Sequence, residues 1–128
     1  MKLKTLGDIM HSPVHSIGPT LTLGEALNFL EAHRISGTPV TDDGIVIGVL
    51  SRSDLASHLA RGGQLDVLVE SIMTPFAFLL RPTDPIVKGL EVMLDVRIHR
   101  LVITDEDRRP VGIVTTLYLL AEMLKQFR

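Results

Sequence analysis

Gly48-Val49-Leu50-Ser51-Arg52-Ser53-Asp54 returns 64 residues later as Gly112-Ile113-Val114-Thr115-Thr116-Leu117-Tyr118. Each run leads from apolar residues into a Ser or Thr suited to capping a helix, so each reads as a strand that turns directly into a helix. The repetition extends outward from these runs. At an offset of 63, Ile9-Met10 answers Ile72-Met73, Thr20 answers Thr83, Leu27 answers Leu90, Arg34-Ile35 answers Arg97-Ile98, and Thr41-Asp42 answers Thr104-Asp105. A one-residue lengthening of the next turn then moves the offset to 64. Residues 8–55 and 71–119 are two copies of one unit, the mark of an internal duplication. Their chemically decisive difference is Asp54 against Tyr118. We divide the chain into repeat 1 (residues 1–63) and repeat 2 (residues 64–128), with 64–66 as the linker.

Periodicity supplies the elements. Thr22-Leu23-Gly24-Glu25 has capping-box spacing, and Leu23, Ala26, Leu27 and Leu30 follow it as one helical stripe. In the second copy Asp84-Pro85 suits an N-cap and first helical position, and Ile86, Gly89, Leu90 and Met93 repeat the stripe in register. Two apolar strands joined by a polar turn follow in each copy. Asp42-Asp43-Gly44 favours a hairpin in the first, and residues 105–110 make the longer turn in the second. A closing helix runs from Ser51 to about Arg61, stopped by Gly62-Gly63, and its counterpart from Thr115 to about Phe127 carries Leu117, Leu120, Ala121 and Leu124 on an apolar face. Short extended pieces at 14–17 and 77–80 open the units. The order is strand, helix, strand, strand, helix, twice, an α+β chain.

Composition bounds the function. The 128 residues are 45% hydrophobic with no Cys and no Trp, enough for an ordinary core without disulfide or metal staples. The missing cysteines exclude thiol redox chemistry and cysteine-built zinc sites, and they fit a reducing compartment. A formal charge of −2 argues against a nucleic-acid binder, which carries a basic excess on one face. Asp8 follows the opening Met-Lys-Leu-Lys where a secretory leader would be apolar, and no stretch reaches the roughly 20 apolar residues of a membrane span, so a cytoplasmic protein without membrane association is expected.

The element order, the paired Asp8-Ile9-Met10 and Ser71-Ile72-Met73 starts, the Gly37-Thr38-Pro39-Val40 segment and the Gly48 to Asp54 run together resemble a tandem pair of CBS (cystathionine β-synthase) domains, a Bateman module. The resemblance covers nearly the whole chain. Arg97-Ile98-His99-Arg100-Leu101-Val102-Ile103 is similar to the segment that begins a strand in the γ subunits of AMP-activated protein kinase. It implies two pseudo-two-fold related repeats packed through their sheets, a stand-alone regulatory module with no catalytic residues, and a homodimer that acts on a partner protein of unknown identity.

The resemblance also implies a ligand. A nucleotide offers a ribose diol, a flat base and phosphate, and the family places the ribose on the aspartate of Gly-x-x-Ser/Thr-x-x-Asp, here Asp54 with Ser51, Arg52 and Ser53 beside it. The base is expected against residues such as Val49, Phe78 and Leu101, with Leu50 also among the ligand-binding residues, and the phosphates against His99 and Arg100, whose guanidinium is a fixed fork of donors. AMP, ADP or ATP is the expected regulatory ligand, with S-adenosylmethionine ranked behind them. A second, weaker cleft gathers His15, Ser36, Gly37, Thr38, Pro39, Thr115 and Tyr118, where no carboxylate and no basic pair stand. Tyr118 suits either stacking on a base or filling the slot.

The same residues also suit plainer roles. Ser51 and Asp54 make a good helix start whether or not anything binds, and His99 and Arg100 suit an exposed strand beginning. On that reading the module is a ligand-free dimerisation or interaction scaffold. His11 and His15 have the spacing of a helical metal pair, but Pro13 stands between them and no third ligand is in sight, so no metal site is expected. His33 and His58 read as solvated helix positions and the five Met residues as packing.

Overall fold

The computed structural model describes residues 4–75, 78–96 and 98–126. Among them the chain runs through α1 (Leu6–Ile9), α2 (Leu23–His33), β1 (Gly37–Asp42), β2 (Ile45–Ser51), α3 (Arg52–Ala60), β3 (Thr74–Pro75), α4 (Ile86–Val96), β4 (Arg100–Thr104), β5 (Pro110–Thr115) and α5 (Thr116–Gln126), with a 3-10 turn at Val69–Ser71. The architecture is mixed α and β, with a sheet ordered β1-β2-β3 and a second of β4-β5.

These elements gather into two compact units that are offset from the sequence repeats. One, the continuous unit, is His15–Ala77; the other, the split unit, is Met1–Val14 together with Phe78–Arg128. The segment that opens each repeat therefore packs with the body of the other repeat. In the split unit Leu6 joins Leu80, Ile86, Met93, Leu101, Ile103, Val114 and Leu119 in the core. In the continuous unit Val69 joins Ile17, Leu23, Ala26, Leu30, Val40, Leu50 and Leu55.

Local chemistry explains most boundaries. Thr22 and Glu25 form the expected capping box: the Glu25 N–H donates to Thr22 Oγ1 at 3.2 Å and the Thr22 N–H to Glu25 Oε1 at 3.1 Å. Those bonds favour the ionised carboxylate and hold Glu25 below its ordinary pKa. The stripe buries Leu23, Ala26 and Leu30 in α2 and Ile86, Gly89 and Met93 in α4. The start of α4 differs from the sequence expectation. Asp84 does not cap it: Oδ2 accepts the Arg81 N–H at 2.8 Å and Oδ1 faces Lys88 Nζ at 3.4 Å, so the carboxylate closes the preceding loop, and Pro85 precedes the first helical residue. The first hairpin turns on Asp43 and Gly44, both at positive φ (52° and 81°), the two-residue pattern that matches strand twist.

The opening strands expected at 14–17 and 77–80 shrink to single parallel bridges, Ile17 to Val40 and Leu80 to Ile103, with Ala77 outside the described residues. Pro13, Pro19 and Pro82 flank these bridges and donate no N–H, so neither ladder extends. The duplication survives in fine detail, since register breaks fall at Val40/Thr41 in one hairpin and Ile103/Thr104 in the other. Helix α5 turns the expected apolar face outward: Leu117 is 70%, Leu120 57% and Leu124 56% exposed, while Leu119 and Glu122 are buried. Glu122 is tolerated there because Oε1 accepts from Lys4 Nζ at 2.9 Å, and that bond, with the carboxylate charge, raises the Lys4 pKa.

One matched pair has come apart. Thr41 Oγ1 donates to Ser16 Oγ at 3.2 Å, but Leu79 stands where repeat 2 would need the serine, and the fully buried Thr104 hydroxyl has no partner among the described residues. A buried unpaired hydroxyl costs about 1–3 kcal/mol. Thr104→Val is expected to raise the unfolding free energy by about 1 kcal/mol in urea titrations; a loss of stability would show that the hydroxyl is satisfied.

Candidate functional site

The Gly48 to Asp54 run is shaped by steric need at its first residue. Strand β3 pairs with β2 at Gly48 and Val49, and a Cβ on Gly48 would stand 2.6 Å from Met73 Sδ and 2.9 Å from the Thr74 carbonyl oxygen. Only glycine admits so close a pass. Gly112 repeats the arrangement in the split unit, where a Cβ would meet the Met10 side chain. Each opening methionine thus lies on the glycine of the other repeat's strand.

In the continuous unit β2 runs directly into α3. Ser51 and Asp54 form a second capping box, with the Asp54 N–H donating to Ser51 Oγ at 3.2 Å and the Ser51 N–H to Asp54 Oδ2 at 2.9 Å. The half-buried carboxylate is thereby fixed at the positive end of the helix. Beside it the antiparallel register sets Gly37 against Ser51, Thr38 against Leu50 and Pro39 against Val49, and the Arg52 N–H donates to the Ser36 carbonyl at 2.9 Å. Thr38 is buried, donating from Oγ1 to the His15 carbonyl at 3.0 Å. The His15 ring lies 4.3 Å from that of His33 and edge-on to Phe29 at 6.1 Å. Arg52 and Ser53 are exposed.

In the split unit Arg100 pairs with Thr115 and Leu101 with Val114. The His99 carbonyl accepts from Thr116 N–H at 3.0 Å and from Thr116 Oγ1 at 3.2 Å, which anchors the exposed His99 and half-buried Arg100 at the start of β4. Phe78 is exposed. Leu50 and Leu101, expected among the ligand contacts, are core residues at 0% and 2% exposure, and their chain neighbours Val49 and Arg100 are half-buried, with surface to offer.

Repeat 2 keeps half of the capping box: the Tyr118 N–H donates to Thr115 Oγ1 at 3.3 Å, but no carboxylate returns the bond. The Tyr118 ring instead stacks on His11, centroids 3.8 Å apart and planes within 7°. Sequence reading considered His11 only as half of a metal pair. The signal for its actual role was present, since His11 and Tyr118 answer Thr74 and Asp54, two departures that fall together. Among the described residues no three His, Asp or Glu side chains gather as a metal site, and no helix is long and apolar enough to cross a membrane.

Comparison with known proteins fixes the family. The CBS domain model matches twice, over residues 6–61 and 69–125. The chain belongs to the CBS domain family. CBSX2 of Arabidopsis thaliana, solved in complex with AMP, is 26% identical, with a TM-score of 0.81 over 98% of this chain and 99% of that one. The CBS domain pair of protein MJ0100, solved with 5′-methylthioadenosine and S-adenosyl-L-methionine, is 26% identical with a TM-score of 0.86 over 94% and 99%. Uncharacterized protein MJ1232 of Methanocaldococcus jannaschii is 30% identical over 90% of this chain, which spans 38% of its length. CBS pairs of this type are regulatory modules, and some relatives are enzymes that carry them.

Proposed function

We propose that this CBS pair is a regulatory module that takes up an adenine nucleotide and alters a partner protein according to its occupancy. The observation that carries the reading is Asp54: of the two motif copies, the one retaining its acid holds the carboxylate fixed at a helix start, with one oxygen engaged by the Ser51 N–H. In this reading the carboxylate of the continuous unit accepts the ribose diol with Val49 beside the base, while in the split unit Phe78 offers an apolar ring and His99 with Arg100 offers donors suited to phosphate. Similar pairs solved with AMP and with S-adenosyl-L-methionine support an adenosine core, and the basic pair favours AMP, ADP or ATP over the sulfonium compound. The ligand acts only through its different affinities for two states of the module. The module itself is not an enzyme in this reading.

Isothermal titration with AMP, ADP, ATP and S-adenosylmethionine tests it. A hydrogen bond to a charged group contributes about 1.5–3 kcal/mol, so Asp54→Ala is expected to weaken nucleotide binding roughly tenfold to a hundredfold. The same substitution removes part of the α3 cap and costs about 1 kcal/mol without ligand, so unfolding of the free protein is the control. Equal affinities for the two proteins would remove Asp54 from the ribose, and heat-free titrations with every compound would favour the scaffold reading.

We further propose that a second copy of the chain covers the outward face of α5. Leu117, Leu120 and Leu124 follow one another at helical spacing on that face, and a two-fold axis lets the same patch bury itself. Sedimentation is expected to show a dimer that Leu120→Glu converts to monomer; a monomeric wild type contradicts this part.

A further inference from the structure

Because the chain is duplicated, each unit serves as the internal control for the other. In the continuous unit Thr74 occupies the rung beside Val49 on β2, and Asp54 begins the helix that follows. In the split unit His11 occupies the matching rung beside Ile113 on β5, with the His11 N–H donating to the Ile113 carbonyl at 2.9 Å and the Ile113 N–H to the His11 carbonyl at 3.0 Å. Tyr118 stands at the matching place in α5. Both units place the opening segment antiparallel beside the strand that runs into the helix, and the side chains there differ: hydroxyl and carboxylate in one, two coplanar rings in the other.

We infer that repeat 2's copy of the motif is closed from within by the His11–Tyr118 stack, so that the chain holds one nucleotide. The inference rests on the reading of Asp54 as the ribose acceptor. Three features support it. The stack is parallel to 7° at 3.8 Å, the contact an adenine ring would itself make with Tyr118, so a base must first displace His11. The phenol offers a diol no charged acceptor. His11 is not free to swing away with its backbone, because both of its main-chain polar groups are tied to Ile113. The two substitutions act as one: Tyr118 without a ring opposite would be an open platform, and His11 without Tyr118 would leave the slot unfilled.

The test restores both positions to their repeat 1 counterparts, His11→Thr with Tyr118→Asp, and counts sites. Adenosine is the probe, because it carries no phosphate and so needs no basic pair. Equilibrium dialysis is expected to find one adenosine per wild-type chain, two per doubly substituted chain, and one for Tyr118→Phe, which keeps the stack. Two sites in the wild type, or one in the double variant, overturns the plug while leaving the Asp54 reading intact. No adenosine on either protein removes that reading and this inference with it. Should the double variant fold poorly, wild-type NMR still decides: the His11 ring protons are expected upfield and to move downfield in Tyr118→Leu, and unmoved resonances rule the stack out.

Discussion

The seating of each repeat's opening methionine on the other repeat's strand glycine is the contact on which the rest depends. Met73 against Gly48 and Met10 against Gly112 bring a short extended segment so near the sheet that a single methyl group would obstruct it. Van der Waals repulsion rises steeply at such distances, so the glycine is a requirement of packing before it is part of any binding motif. The exchange also couples the halves. Leu6 completes the core of the unit built from repeat 2 and Val69 that of the unit built from repeat 1, so neither repeat contains a whole core of its own.

The same seating sets the chemistry. By fixing which residue lies beside the strand just before it becomes a helix, it places Thr74 near the first motif and His11 near the second. One neighbour is small and polar, the other a ring, and the helix that follows carries a carboxylate held by a capping box in the first copy and a phenol stacked on imidazole in the second. Two copies of one motif thereby carry unlike side chains.

Much of this was legible in the sequence, wherever the determining contacts are local. The α2 and α4 stripes, the Thr22 and Ser51 caps and the Asp43-Gly44 turn follow from spacing and from residues that tolerate positive φ, and the structure bears them out. What the sequence hid is non-local. Nothing in residues 1–14 announces that they pack against residues 78–128, because an offset repeat looks the same whether its opening segment stays or is exchanged. Asp84 has the right residue type for a cap, but a competing N–H at Arg81 takes its carboxylate. The leucines of α5 were read correctly as one face; periodicity shows that a face exists without showing which side of the helix the core takes. His11 was hidden because its partner lies 107 positions away, although the duplication gave a way to find it.

The central claim is that two copies of one frame have been given opposite roles by their side chains, one open to nucleotide and one closed. An AMP titration followed by backbone amide resonances tests it most directly. The account predicts saturable shifts at Ser51 to Asp54 and at His99 and Arg100, with the amides of His11 and Tyr118 unmoved at saturation. Saturable shifts at His11 and Tyr118 with Asp54 silent would contradict it.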